Sequence, residues 1–299
     1  MLETQKLTRT FGTHVAVEDV SMTVRAGGLT GFVGGNGAGK TMTMRMIMGI
    51  LDPSAGEVRW RGRPVTQQDR ARFGYMPEER GLYPKQPVTS QLVYLGRLHG
   101  MSAASAKRAA AEHLERFGLA DRAGDALESL SLGNQQRVQI VAAVMASPIA
   151  LILDEPFSGL DPDAVESMAD LMREQATRGV PVLFSSHQLD LVERICDDLV
   201  ILSQGRVVAG GTVHDLRRRG RTLHRLVVSG HDGATGDAGW VRDVLGVAVV
   251  DVDGPVAVME LVADDAGDRV LHEALRRGSV RELSTIVPNL SEIYREVTA

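Results

Sequence analysis

The sequence predicts an α/β fold, a parallel β-sheet built around a phosphate-binding loop, followed by a smaller α+β domain. Three observations predict it. Gly34, Gly35, Asn36, Gly37, Ala38, Gly39, Lys40 and Thr41 fit the pattern G-x-x-x-x-G-K-[ST] at every fixed position. Buried-looking apolar strands at 29–33, 150–156 and 181–187 alternate with helical patterns, the order that makes a parallel sheet. Beyond the basic run Leu216-Arg217-Arg218-Arg219-Gly220-Arg221 the pattern becomes βαββαβ.

The loop explains its own residue types. Glycines let backbone N–H groups turn inward and approach phosphate oxygens closely. The helix predicted over 42–51, opening at Met42, sets its positive dipole end beneath the phosphates. Lys40 reaches the β- and γ-phosphates, and the Thr41 hydroxyl ligates Mg²⁺. The competing reading, a glycine-rich turn before a core helix, loses weight because the strand before and the helix after are both present.

Composition narrows the classes. The chain has 299 residues, room for one large domain plus a small one. With 43 % hydrophobic and 24 % charged residues it reads as an ordinary globular protein. A net charge of −5 gives no bulk electrostatic case for nucleic acid. The single cysteine, Cys196, excludes an intrachain disulfide and a cysteine-based zinc site and reads as a small core residue. Residues 1–5 are polar, so no signal peptide is expected. The longest apolar stretch, 138–153, is interrupted by Gln139, Ser147 and Pro148 and falls short of the roughly 20 residues a membrane span needs. If the protein serves transport, another chain must supply the pore.

Along the chain, 2–9 and 15–25 alternate apolar and polar residues as half-buried strands do, with Phe11-Gly12 in the turn between them. Phe11 is placed either to stack on a purine or to pack on its own hairpin. Residues 52–56 form a turn, 57–60 and 62–65 a strand and hairpin, and 75–84 a loop by its prolines and glycine. From 90 to 125 the pattern is helical, with His99 and His113 at surface or boundary positions. Val138, Val141, Ala142 and Met145 then mark an amphipathic helix behind Leu130-Ser131-Leu132-Gly133-Asn134. Ser131 there serves as an N-cap or as part of an anion site.

Asp154 and Glu155 end the apolar strand of 150–156. Beside a phosphate loop, the first carboxylate holds the Mg²⁺ shell and the second orients the attacking water. Residues 158–162 lead into a helix over 163–178. His187 ends the next strand at the same sheet edge, within reach of a γ-phosphate.

Together these residues resemble the ATP-binding subunits of ABC transporters over about residues 1–215. Residues 34–41 are similar to Walker A, 151–154 to Walker B, Glu155 to the catalytic glutamate, 158–161 to the D-loop and His187 to the switch histidine. Phe11 is similar to the adenine-stacking aromatic, and residues 130–134 to the signature motif, with Leu132 and Asn134 in place of Gly and Gln. Ser131 and Gly133, the positions facing a γ-phosphate, remain, and Asn134 is carried with them among the ATP contacts. Glu78 stands where the family carries a metal-binding Gln, and Pro77-Glu78-Glu79-Arg80-Gly81-Leu82-Tyr83-Pro84 is similar to the subset that powers type-2 exporters of drugs, antibiotics or sodium.

The resemblance implies an ABC ATPase core of residues 1–215 with an antiparallel β subdomain and a helical signature subdomain at about 85–148. It implies ATP and Mg²⁺, the ion held by Thr41, Glu78 and Asp154, with Glu155, His187 and Lys40 catalytic. It further implies a head-to-tail ATP-sandwich homodimer on a separate polytopic membrane permease, at the cytoplasmic face of the cell membrane. The segment 216–299 is expected to be a ferredoxin-like accessory domain for dimer contact or regulation. Within it, strands are expected at 223–229, 247–252, 256–262 and 280–287, and helices at 238–245, 264–277 and 290–297. The rival reading is a soluble ABC-type ATPase acting on nucleic acid or ribosomes. Such translation factors usually carry two cassettes, and repair relatives insert a coiled coil that the interval 42–129 is too short to hold. A generic P-loop kinase is disfavoured by the signature-like stretch and D-loop.

Overall fold

The computed structural model describes residues 1–79, 81–219, 222–230, 236–286 and 289–298, the side chains of 218 and 219 excepted. The chain divides into two compact units, Met1–Val213 and His214–Val297.

In the first unit, β1 (Leu2–Phe11) and β2 (His14–Val24) pair antiparallel. Alternation buries one face of each, with Leu2, Thr4 and Leu7 facing Val20, Met22 and Val24. The register shifts between Thr4 and Leu7, where Lys6 adopts φ 50° as the extra residue of a bulge. β3 (Leu29–Val33) is buried along its whole length, and α1 (Lys40–Met48) follows the phosphate loop. Gly49, at φ 72°, ends α1 in the left-handed conformation. β4 (Ala55–Trp60) and β5 (Arg63–Pro64) complete a sheet of order β2-β1-β4-β5. Trp60 packs edge-on against Phe73 with ring centroids 5.5 Å apart, joining this sheet to the core beneath α1.

The second sheet holds the site. Its strands are β6 (Phe73–Met76), β7 (Ala150–Leu153), β8 (Val182–Ser186), β9 (Asp198–Ser203) and β10 (Arg206–Thr212), with β3 among them. The order is β10-β9-β3-β8-β7-β6, parallel throughout except for the edge hairpin β9–β10. α2 (Gln67–Arg70) precedes β6, and α3 (Val88–Leu98), α4 (Ala103–Arg116) and α5 (Leu132–Val144) pack on one another between β6 and β7. α6 (Pro162–Thr177) packs on β3 and β8, and α7 (Leu189–Ile195) on β3. Parallel strands deliver their C-terminal ends to one edge, which collects the phosphate loop, Asp154, Glu155 and His187.

Three expectations are corrected here. The loop predicted from residue 75 begins later, because Tyr75 and Met76 belong to β6. α5 is not amphipathic. No residue from Gly133 to Met145 is exposed, because α3, α4 and β6 surround it. The capped turn α2 sits within a stretch not expected to be helical. Asp69 there accepts from the Thr66 amide and hydroxyl and from Arg63, which hold its carboxyl well below the usual range.

The second unit begins in α8 (Val213–Arg219), which takes up the basic run as far as Arg219; Gly220 and Arg221 lie outside the described residues. β11 (Leu223–Gly230), β12 (Val247–Asp253), β13 (Val256–Leu261) and β14 (Gly278–Ile286) form an antiparallel sheet of order β12-β13-β11-β14, the ferredoxin-like arrangement. α9 (Ala266–Arg277) buries Ala266, Val270 and Ala274 toward a core of Leu226, Val228, Trp240 and Met259. Leu275, beside Ala274 on the same helix, is 55 % exposed. The helix expected over 238–245 is only a 3₁₀ turn, Gly239–Asp243, whose Trp240 and Val241 fill the core. Residue 287, expected in the last strand, lies outside the described residues. α10 (Leu290–Thr298) closes the unit, with reciprocal hydrogen bonds between Asn289 and Glu292 at its start.

Gly74 sets how closely β6 approaches α5. A Cβ there would lie 2.2 Å from the carbonyl oxygen of Ala143 on α5. Gly74→Ala must push β6 and α5 apart. We expect it to lower stability by about 1–3 kcal/mol, read as the midpoint of urea unfolding, the usual scale for an overpacked core. A midpoint equal to the parent's contradicts this close approach.

Candidate functional site

The loop leaving β3 is shaped by contacts that only glycine allows. A Cβ on Gly34 would lie 2.4 Å from the Leu202 carbonyl oxygen of β9. Gly39 sits at φ 102° as the N-cap of α1, with no side chain capping the helix. The first-turn amides of α1 therefore await an anion. Lys40 is 8 % exposed, and its ammonium donates to the carbonyls of Gly34 at 2.7 Å and Gly35 at 3.3 Å.

A cleft of about 230 Å³ lies over this loop, lined by Asn36, Gly37, Ala38, Gly39, Lys40, Thr41, Met42, Glu78, Asp154 and Glu155. Asp154 is fully buried. Its Oδ1 accepts from the Ser185 hydroxyl at 2.6 Å, while its Oδ2 is buried without a partner among the described residues. A buried carboxylate oxygen left so is costly unless a cation answers it. The Thr41 hydroxyl, also on the cleft, donates to Glu78 Oε2 at 3.2 Å. Among the described residues no group of three His, Cys, Asp or Glu side chains could hold a metal alone. The oxygens of Thr41, Glu78 and Asp154 instead fit Mg²⁺, which shares its ligands with phosphates and waters. Burial and then the Asp154 charge push the Tyr75 phenol up, so it stays protonated beside this carboxylate.

Glu155 has φ 51°, in the left-handed region that a side chain disfavours. The Ser158 amide donates to its carbonyl at 3.2 Å, and three side-chain contacts also hold it. Its amide donates to the Ser185 hydroxyl at 2.8 Å, its carbonyl accepts from the Gln136 carboxamide at 3.1 Å, and its Oε2 lies 2.9 Å from His187 Nδ1. The Gln136 carboxamide also donates to the Pro156 carbonyl at 3.2 Å. Ser185 therefore serves both carboxylates, donating to one and accepting from the amide of the next.

The cleft thus unites residues 36–42 with Glu78, Asp154 and Glu155; Gly34 and Gly35 join through Lys40, and His187 through Glu155. It does not include Phe11, Ser131, Gly133 or Asn134. Phe11 is exposed, with the Arg9 guanidinium 4.5 Å from its ring centroid. Ser131 caps α5, accepting from the Asn134 amide at 3.4 Å, and is itself exposed. Gly133 lies against the D-loop, where a Cβ would meet the Gly159 carbonyl oxygen at 3.1 Å. Sequence reasoning missed Ser185 and Gln136. The signal for the first is a polar residue inside a fully buried strand; nothing in the pattern around Gln136 marks it.

Residues 17–158 match the ABC transporter family, and residues 211–298 match the C-terminal domain of DrrA1-3-like ATP-binding proteins. The chain is 36 % identical to the ABC transporter ATP-binding protein YhaQ of Bacillus subtilis, over 99 % of this chain and 98 % of that protein. It is 34 % identical to the Nod factor export ATP-binding protein I of Burkholderia lata, over 78 % of each. A solved ATP-binding subunit of an ABC transporter superposes with a TM-score of 0.68 at 35 % identity, covering 73 % of this chain and 92 % of that one.

Ser185→Ala removes the hydroxyl that serves both carboxylates. It is expected to lower ATP turnover about 10- to 100-fold, the scale of a misplaced catalytic group, in steady-state phosphate release. Parental turnover contradicts a role for Ser185 in setting the two carboxylates.

Proposed function

This chain belongs to the ATP-binding subunits of ABC transporters, a family that hydrolyses ATP, and from that premise we propose that it drives export of a substrate through a separate polytopic membrane protein. One observation carries the reading. The phosphate loop and the catalytic carboxylates share a cleft, whereas Ser131, exposed at the N-cap of α5, and Gly133, half-buried in its first turn, lie outside it. A second copy, head to tail, supplies those residues to the open side of each bound ATP. The DrrA1-3-like C-terminal domain sets the chain in the type-2 exporter subset, and the name of the Burkholderia relative includes export.

The chemistry is positioning and charge stabilisation. The loop amides and Lys40 hold the β- and γ-phosphates. Thr41, Asp154 and Glu78 hold Mg²⁺, which when bound neutralises charge on the phosphate oxygens. Glu155 orients water for in-line attack on the γ-phosphorus and accepts its proton. His187 holds the Glu155 carboxylate and hydrogen-bonds the γ-phosphate. Phe11 stacks on the adenine once Arg9 is displaced or shares the ring. Ser131, Gly133 and Asn134 of the partner copy close the site.

Among the described residues no helix is long and apolar enough to cross a membrane. In this reading the subunit sits peripherally at the cytoplasmic face, held by the permease. The domain from residue 216 onward serves dimer contact or regulation.

Glu155→Gln keeps the shape of the site and removes its base. The variant is expected to bind ATP, to hydrolyse it about 100-fold more slowly or less, and to accumulate as a dimer in size-exclusion chromatography. Purified from detergent-solubilised native membranes with ATP and Mg²⁺, it should carry a polytopic membrane protein in near-equal amount. A monomer with parental turnover contradicts the assignment, and ribosomal proteins as the companions would point to the soluble ATPase instead.

A further inference from the structure

The carbonyl groups of Glu155 and Pro156 both accept from one donor, the Gln136 carboxamide, at 3.1 and 3.2 Å. Gln136 stands in the first turns of α5, shortly after Ser131, Gly133 and Asn134. Its reach to the end of β7 is the side-chain link from α5 to the backbone of the residue proposed as the base. That backbone is in the left-handed region, at φ 51°, so it does not hold itself there. Ser185 secures it from the amide side, and on the carbonyl side the Gln136 carboxamide is the side-chain donor beside the Ser158 amide of the local turn, at 3.2 Å. The next residue of α5, Arg137, donates to the Asp161 carboxylate at 3.3 Å and to the Phe117 carbonyl at 3.3 Å. The start of α5 is thereby tied to both ends of the segment that runs from Glu155 to Asp161.

We infer that Gln136 is a positioning residue, which sets the backbone of Glu155 and couples it to the start of the same chain's α5. The inference rests on the head-to-tail reading above. In that dimer, the start of α5 faces the ATP held by the partner, while Glu155 serves the ATP held by its own chain. A shift of α5 on meeting the partner's γ-phosphate acts through the Gln136 carboxamide on the two carbonyls. The occupancy of one site therefore adjusts the base of the other, and the two sites turn over cooperatively. Loss of the donor should spare nucleotide binding, which Gln136 does not touch, and slow hydrolysis.

The test compares the parent with Gln136→Met, which keeps the length and loses the donor, and Gln136→Lys, which keeps a donor. Steady-state hydrolysis is measured against ATP concentration on the full-length homodimer with Mg²⁺. For Gln136→Met we expect kcat to fall about 10- to 100-fold, KM to stay within about twofold and the Hill coefficient to move to 1, with Gln136→Lys recovering most of the rate. Amide hydrogen exchange at Phe157 and Ser158 should quicken in Gln136→Met at an unchanged thermal midpoint. Should that variant fail to fold, Gln136→Asn withdraws the same carboxamide by one methylene and is expected to show the same split. Parental kcat and Hill coefficient in a folded Gln136→Met or Gln136→Asn overturn the inference, as does equal impairment of the Met and Lys variants. A parent that does not hydrolyse ATP, or does so as a monomer, overturns the underlying functional reading instead.

Discussion

The buried ammonium of Lys40, turned back onto the carbonyls of Gly34 and Gly35, is the interaction on which the rest of the molecule depends. A charge only 8 % exposed must be answered, and here the answer comes from the loop that is to receive phosphate. The loop holds that course because its strand, β3, is clamped between β8 and β9 and because Gly34 can press against Leu202 of β9. The apolar sheet is therefore what gives a polar loop a fixed shape. The antiparallel sheet of β1 and β2 serves the same end from the other side, since Val17 and Ala16 of β2 lie against Gly39.

Across the cleft the same economy of partners operates with opposite charge. Asp154 is wholly buried, with one oxygen satisfied by Ser185 and the other by nothing among the described residues. The free energy of that unanswered oxygen is returned when a cation arrives with the phosphates. Glu155 is held differently, by its backbone at both ends and by His187 at its carboxylate, so its side chain is oriented before substrate binds. Glu78, taken by the Thr41 hydroxyl, adds a carboxylate where a neutral amide would leave less negative charge beside the phosphates.

The parts of this that were legible in the sequence are those with local chemistry. A phosphate loop declares itself because backbone approach demands glycine, and β3, β7 and β8 declare themselves because burial on both faces demands short, mostly apolar runs. β6 did not, because its last residues, Tyr75 and Met76, run straight into the prolines and glycine of 77–84 that mark a loop. α5 looked amphipathic because Val138, Val141, Ala142 and Met145 recur at helical spacing among polar residues such as Gln135 and Gln139. Both are buried, and their amides donate to the backbone of Leu130 and Glu79. The turn at Gly239–Asp243 looked like a helix because its apolar residues fill a core, a demand made by tertiary packing and not by helical period. Ser185 and Gln136 act on residues about 20 to 30 positions away, a relation that spacing along the chain does not express.

The claim at the centre is that each ATP site is completed by two copies of the chain. It is tested most directly by complementation in heterodimers isolated through two different affinity tags. One pairing sets a chain carrying Lys40→Ala against a chain carrying Ser131→Arg. The other sets a chain carrying both substitutions against a parental chain. Shared sites leave one complete site in the first pairing and none in the second. The first should then retain up to about half the parental ATP turnover, one site of two, and the second should be inactive. Activity in the second that matches one parental chain, with none in the first, would show that each chain completes its own site and would contradict the claim, as would equal turnover in the two pairings.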